Sequence, residues 1–155
     1  MKYVCPLIVV NDIDISRRFY EEVLNQQVKY DYGENVTFEG DFAIHLKSHY
    51  QGLIGNKEII PYSNGFELYF EHDDLEIIIE RLKAEGVVFV HEIIEQPWKQ
   101  RVLRFYDPDG HLIEVGESLQ FLSFRLSCEG FSVEKICGII NMPEAFVNHS
   151  IGMFS

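Results

Sequence analysis

The sequence contains few cysteines and no long apolar run. Its three cysteines are an odd number without C-x-x-C spacing, which argues against a disulfide framework or a zinc ribbon. No apolar run approaches the ~20 residues that a membrane-spanning helix needs. The amino-terminal apolar stretch is of strand length and lacks a small-residue cleavage site, so we expect no signal peptide. These features predict a cytoplasmic protein with reduced thiols.

Basic residues are also few. The sequence contains 13 Lys and Arg residues and 25 Asp and Glu residues, which gives a net charge of −12. A field of that sign repels phosphate backbones and anionic lipid surfaces, so nucleic acid and membranes are not expected as partners. A small-molecule ligand, a cation or a metal ion is easier to accommodate. Solubility alone would also account for the charge.

The chain does have enough apolar material for a core. It has 155 residues, of which 46% are hydrophobic and 14% aromatic. This length fits one domain, or two half-domains that share a core, and is too short for two ordinary independent domains.

The apolar pattern predicts the order strand, helix and three strands, and this order occurs twice. The first set has strands over 3–10, 27–32, 36–39 and 42–47, with a helix after Asp12; the second has strands over 66–71, 87–91, 101–106 and 111–116, with a helix from Leu75 to Gly86. Residues 48–64 and 92–99 are predicted loops. Asp12 and Asp74 are both candidate helix caps, 62 residues apart, which indicates an internal repeat. The predicted fold class is α+β.

Residues 118–155 lack a strand pattern and form a predicted helical extension. Ser132 can cap one helix and Pro143 can occupy the first position of another. The spacing of the predicted helices in this segment resembles a helix-turn-helix motif. However, Arg125 and Lys135 are the only basic residues of the segment, and contacts with phosphates need Lys and Arg. We therefore predict helices that cover a sheet edge or a dimer interface. The predicted boundaries are 1–117, with modules at about 1–50 and 65–117, followed by 118–155.

Two segments, VVNDIDISRRFYEEVL and RFYDPDGHLIEVGE, together with the doubled unit, resemble the vicinal-oxygen-chelate superfamily. This superfamily includes glyoxalase I, bleomycin-resistance and fosfomycin-resistance proteins, and extradiol dioxygenases. The resemblance covers residues 3–117. It implies two βαβββ modules in a curved, partly closed mixed sheet with a cleft, and a homodimer.

The resemblance also implies a metal site with one ligand on the first and last strand of each module. Carried over, these positions are Cys5, His45, Glu67 and Glu114, and the ion would be one divalent metal (Zn, Ni, Mn or Fe). Independently, the last three are isolated polar residues between apolar neighbours in strands, so their side chains face away from the helix-covered side. Cys5 could instead be a small buried apolar residue.

Several side chains near the second module could contact a ligand: His91, Trp98, Arg101, Arg104 and Tyr106. By strand parity, Arg104 and Tyr106 point opposite to their apolar neighbours, toward the cleft. Trp98 could cover the cleft or plug the end of the sheet. An ion pair of Glu67 or Glu114 with Arg101 or Arg104 is the structural alternative to a catalytic role.

The leading functional prediction is a glyoxalase-like enzyme, a metal-assisted isomerase, lyase or transferase acting on a small oxygenated molecule. Glu67 or Glu114 would serve as metal ligand or proton-transfer base. The alternative is a metal-free protein that binds and sequesters a cationic or aromatic compound, as bleomycin-resistance proteins do.

Overall fold

The computed structural model describes residues 1–155 and contains eight strands and six helices. The first half comprises β1 (Leu7–Val10), α1 (Ile13–Arg18), β2 (Val28–Asp31), β3 (Asn35–Phe38), β4 (Ala43–Leu46) and α2 (Lys47–Leu53). The second comprises β5 (Glu67–Glu71), α3 (Leu75–Glu85), β6 (Val88–Glu95), β7 (Arg101–Tyr106) and β8 (Leu112–Gly116). Three helices follow: α4 (Leu119–Cys128), α5 (Val133–Ile140) and α6 (Glu144–Phe154). The α+β class and the doubled βαβββ unit are confirmed.

The strands form two open four-stranded sheets with the same internal order. The first sheet runs β1-β4-β3-β2 and the second runs β5-β8-β7-β6. In the first sheet β1 is parallel to β4, whereas the other two pairs are antiparallel. The last strand of each module therefore lies inside its sheet, between the first and third strands.

The first helix begins at the cap that the sequence predicts. The Asp12 carboxylate accepts hydrogen bonds from the backbone N–H groups of Asp14 and Ile15, which is the N-cap arrangement. After Arg18 the helix continues as a π-helix over Phe19–Val23. Asn25 then adopts a φ of 54°, a left-handed conformation that ends the helix.

The Asp-Pro-Asp-Gly segment forms the tight turn that its residues predict. Asp107 is 4% exposed, and its Oδ1 accepts the backbone N–H groups of Asp109 and His111. Its Oδ2 accepts the buried Tyr20 hydroxyl at 2.8 Å. Gly110 has a φ of 83°, which glycine adopts at no steric cost. Asp107 is thus a structural residue of the turn.

Three predicted boundaries differ from the structure. Residues 48–53, predicted as part of a loop, form α2 together with Lys47, which was predicted to end a strand; this segment has no proline, and its single glycine comes only near the end. Strand β6 continues to Glu95, not His91, with exposed side chains alternating along most of its length. Strand β1 begins at Leu7, not Tyr3, because Pro6 cannot donate a ladder hydrogen bond.

The helices of residues 118–155 have their own apolar core, formed by Leu122, Leu126, Ile136, Ile140 and Val147. Ser118 and Ser132 cap α4 and α5 through their side-chain oxygens. Pro143 lies one position earlier than predicted, at the N-cap of α6. None of the helices is long and apolar enough to span a bilayer.

The chain divides into two compact units. The first contains residues 1–68, 81–88 and 106–112, and the second contains residues 69–80, 89–105 and 113–155. Helices α4–α6 belong to the second unit. The boundary between residues 117 and 118 stays a prediction from the sequence.

Candidate functional site

Three polar side chains form a row across neighbouring strands of the second unit: Glu114 on β8, Arg104 on β7 and His91 on β6. The Arg104 Nη2 makes an ion pair with Glu114 Oε2. The Arg104 Nη1 lies 3.4 Å from His91 Nε2. The order β8-β7-β6 makes these strands adjacent, so residues far apart in sequence meet. We call these three residues the polar row.

Glu114 is the buried end of the polar row. It is 7% exposed, and both of its neighbours in sequence, Ile113 and Val115, are buried in the apolar core. Its Oε2 has no hydrogen-bond donor other than Arg104. A buried carboxylate is costly unless a positive charge or donors compensate it. The ion pair with the Arg104 guanidinium therefore explains how the Glu114 carboxylate can be buried at this position.

His91 is held in one tautomer. Its Nδ1 lies 2.8 Å from the Glu92 carbonyl oxygen, and a carbonyl can only accept, so Nδ1 donates the proton. In the neutral ring Nε2 then presents a lone pair toward Arg104. The polar row thus contains a carboxylate, a cation and a proton acceptor on adjacent strands.

A second hydrogen-bonded line runs through the same unit. Trp98 Nε1 donates to Gln100 Oε1 at 2.9 Å, and Gln100 Nε2 donates to the Tyr69 hydroxyl at 3.0 Å. Gly116 provides the space, because a Cβ at this position would lie 3.1 Å from Gln100 Nε2 and 3.2 Å from the Tyr69 ring. Burial, and secondarily the Glu71 carboxylate, raises the pKa of Tyr69 to about 12. Tyr69 therefore stays a neutral hydroxyl at physiological pH.

Arg101, a predicted ligand-contacting residue, is held by carboxylates. Its Nε donates to Glu117 Oε1 at 2.6 Å, and its Nη1 donates to Glu76 at 3.0 Å. Glu117 is fully buried and also accepts Nε and Nη2 of Arg125 on α4. We call Glu117, Arg101 and Arg125 the tail anchor, because they attach α4 to strand β7. Sequence reasoning missed Glu117, since a single acid after a strand ordinarily indicates a solvated position.

The four predicted metal ligands have separate environments. Cys5 precedes β1 and is half-buried, and Glu67 is the exposed first residue of β5. His45 on β4 is 8% exposed; its Nδ1 accepts from Asn35 Nδ2 at 3.3 Å, so its Nε2 donates to His49 Nδ1 at 2.8 Å. Burial, and next the neighbouring His49, lowers the pKa of His45, whereas Glu34 opposes this.

No three His, Cys, Asp or Glu side chains come together in a group that could hold a metal ion. The Nε2 of His45 is engaged by His49, and the Oε2 of Glu114 is engaged by Arg104. As arranged here, these residues do not fit the predicted metal.

Tyr106, the last of the predicted ligand-contacting residues, belongs to the first unit. Its hydroxyl donates to Asn64 Oδ1 at 2.7 Å. Its ring meets the Tyr62 ring edge to face, with centroids 4.8 Å apart. Tyr106 is thus part of an aromatic pair and not of the polar row.

Comparison with known proteins identifies the fold. A protein of unknown function from Agrobacterium tumefaciens str. C58 is 40% identical, with a TM-score of 0.68, over 76% of this chain and 94% of that chain. A lactoylglutathione lyase from Agrobacterium tumefaciens is 20% identical (TM-score 0.57; 76% and 95% coverage), and the fosfomycin resistance protein FosX from Mesorhizobium loti is 21% identical (TM-score 0.56; 76% and 92% coverage). At such identities these two similarities concern the fold alone.

No curated protein matches the chain. The glyoxalase-like domain family, by contrast, matches residues 3–120, which is well over half of the sequence and includes both modules. The solved structures above agree with this match in fold. The chain belongs to the glyoxalase-like domain family, which agrees with the resemblance of its sequence to the vicinal-oxygen-chelate superfamily.

Proposed function

We propose that this chain is a glyoxalase-like enzyme that binds a small oxygenated molecule at the polar row and moves a proton on it. The observation that carries the proposal is the contact of a buried carboxylate, Glu114, with a partly exposed guanidinium, Arg104. The Arg104 side chain is 24% exposed and the Glu114 side chain 9%. A ligand can therefore reach Arg104 directly and would find Glu114 beside it.

Arg104 is suited to hold an oxygen that becomes negative. A guanidinium presents five N–H donors in a fixed planar arrangement that matches carbonyl and carboxylate oxygens, and the Arg104 side chain is 24% exposed. A carbonyl oxygen placed against Arg104 would be stabilised as its charge develops, which is the main contribution of preorganised donors to catalysis.

Glu114 would accept the proton in this scheme. The C–H bond next to the ligand carbonyl breaks, its proton forms an O–H bond with the Glu114 carboxylate, and the electron pair forms a C=C bond. The carbonyl π electrons move to the oxygen held by Arg104. When the ligand also carries a hydroxyl on the carbon that lost the proton, Glu114 returns that proton to the former carbonyl carbon. The hydroxyl O–H then breaks, its proton passes to the oxygen held by Arg104, and the second oxygen becomes the new carbonyl, which completes an isomerisation. His91 Nε2 and the Trp98 ring would contact the remainder of the ligand.

Hydrogen–deuterium exchange at carbon tests this proposal and does not require the natural substrate. The probe is dihydroxyacetone in D2O, and proton NMR follows the loss of its methylene signal. We expect the wild-type protein to accelerate exchange, and Glu114→Gln to reduce that acceleration about 10²-fold or more, as loss of a positioned base does. Glu134→Gln, at an exposed position on α5, is the matched control and should exchange like wild type. Equal exchange by wild type and Glu114→Gln would contradict the role of Glu114.

A metal-free binding protein is the second candidate. Trp98 and Tyr69 are each 47% exposed, although their polar atoms are hydrogen-bonded to Gln100. Large, half-exposed aromatic rings held in place are typical of ligand-binding surfaces. This candidate predicts no catalysed exchange and quenching of the single Trp by an aromatic or cationic ligand. Catalysed exchange that depends on Glu114 would favour the enzyme.

A further inference from the structure

The first unit contains a pocket that shares no residue with the polar row. Its volume is about 240 Å³, and aromatic and apolar side chains form much of its lining: Phe19, Tyr62, Val87, Tyr106 and Pro108. An apolar cavity of about 150 Å³ holds a benzene molecule. The pocket therefore has room for one ring or two small fused rings. We call it the tyrosine pocket.

The wall formed by Tyr62 is held in an uncommon conformation. Tyr62 has a φ of 53°, and the left-handed region costs a residue with a side chain about 1–2 kcal/mol. Its backbone N–H donates to the Gly110 carbonyl at 3.2 Å. A Cβ on Gly110 would lie only 2.9–3.0 Å from the Tyr62 ring, so glycine is what allows the ring to lie on this turn.

The second aromatic wall is also fixed before any ligand arrives. The Tyr106 ring meets Tyr62 edge to face at an interplanar angle of 73°, and its hydroxyl is held by Asn64. Because the two rings are already positioned, a ligand would lose little free energy in ordering them. The Tyr62 side is accessible, since this residue is 52% exposed.

The charges at the tyrosine pocket are already paired. Arg18 donates to both Glu85 oxygens, at 3.2 and 2.8 Å, and lies 3.6 Å from Glu22. The Asp107 carboxylate accepts three hydrogen bonds, from Tyr20 and from two backbone N–H groups. An anionic ligand would have to displace a carboxylate from Arg18, and a cationic ligand would meet only carboxylates that are already engaged. The pocket therefore favours a ring without charge.

We propose that the tyrosine pocket binds a neutral, planar aromatic molecule of one or two rings, packed against Tyr62 and Tyr106. Such a ligand gains from apolar burial and ring contacts and leaves the Arg18–Glu85 pair intact. This site is separate from the function proposed above, because none of its residues belongs to the polar row.

An NMR titration with indole tests the proposal. We expect indole to shift the backbone amide signals of Gly86, Val87 and Gly110 in a saturable manner. Tyr62→Asn should weaken binding at least fivefold, because it removes the ring, whereas asparagine tolerates a positive φ and should preserve the fold. Tyr62→Phe retains the ring and should bind indole as wild type does. Tyr32→Asn, at another exposed tyrosine of the same unit, is the matched control.

The charge argument is tested with two further flat probes. We expect indole to bind more tightly than benzamidine, which is cationic, and benzamidine more tightly than benzoate, because the protein has a net charge of −12. Three results would each overturn the proposal: no saturable shift of the three amides, equal binding by wild type and Tyr62→Asn, or tightest binding of benzoate.

Discussion

The two modules place different chemistry at equivalent positions of the same topology. Strands β4 and β8 occupy the same place in their sheets, and each carries one polar residue between apolar neighbours, His45 and Glu114. His45 is surrounded by Asn35 and His49, whereas Glu114 is paired with Arg104. The repeat therefore preserves where a polar side chain is buried, whereas the side chain beside it differs: a guanidinium next to Glu114 and a neutral amide next to His45.

The modules also differ in the segment that comes after their last strand. After β4 the chain enters α2, which has no buried residue. After β8 it reaches Glu117, whose carboxylate accepts the Arg101 backbone N–H and side-chain donors of Arg101 and Arg125. Only the second module therefore attaches further helices through a fully compensated buried charge.

Removing the carboxylate of the tail anchor should cause the largest loss of stability. Glu117→Ala leaves Arg101 and Arg125 side by side without their shared acceptor, and we expect the free energy of unfolding to fall by about 3 kcal/mol. Urea denaturation measures this loss. Glu129→Ala is the control, because it also removes a carboxylate that pairs with Arg125, at 2.6 Å, but one whose side chain is 43% exposed. Exposed ion pairs contribute under about 1 kcal/mol to stability. Equal losses in the two variants would contradict the anchoring role of Glu117.

The polar row should tolerate substitution better than the tail anchor does. Glu114→Gln keeps the shape of the side chain, and Arg104 is exposed enough to be hydrated, so we expect a loss of about 1 kcal/mol. A double-mutant cycle with Arg104→Met measures the coupling free energy of the pair. A coupling of zero would show that the ion pair has no effect on stability. A loss as large as that of Glu117→Ala would mean that Glu114 is chiefly structural.

The corresponding residue of the first module should make stability depend on pH. Because burial lowers the pKa of His45, the unfolded chain, with an ordinary pKa of about 6.5, binds this proton more readily than the folded protein does. The free energy of unfolding should therefore fall as the pH drops below about 6.5 and level off below the folded-state pKa. Urea denaturation at several pH values checks this. His45→Asn should flatten the pH dependence, whereas exposed His149→Asn should not.

Much of the fold could be predicted because its signals are local. Capping by Asp12, the Asp107–Gly110 turn and the close of α3 at Gly86, whose φ is 70°, all depend on residues within a few positions. The limits of β6 and the helix at 47–53 could not be predicted as reliably. The sequence of β6, VFVHEIIE, does not alternate apolar and polar residues, although the exposure of its side chains alternates. The short helix has no buried residue and therefore no apolar stripe that would indicate it.

The candidate site was only partly predictable, because its contacts connect distant parts of the chain. The sequence indicates Glu114, Arg104 and His91 as polar residues in strands, and a Glu114–Arg104 ion pair is one of its structural alternatives. It could not indicate that Arg101 would instead meet Glu117 and Arg125, since that contact depends on how α4 packs. Charge alone does not identify a partner when several residues of opposite sign lie on neighbouring elements.

Incubation with divalent metal ions should have the smallest effect on the protein, because we expect little metal to be bound. A divalent site needs three or four donors that converge on one point, and the side chains form no such group; in addition, a metal beside Glu114 would compete with the Arg104 cation. We therefore expect elemental analysis after incubation with zinc, nickel, manganese or iron, followed by dialysis, to find much less than one ion per chain. Glu114→Ala should give the same low value. A stoichiometric ion in wild type that is lost in Glu114→Ala would instead support the metal site predicted from the sequence, because Arg104 would then have to leave Glu114 when the ion binds.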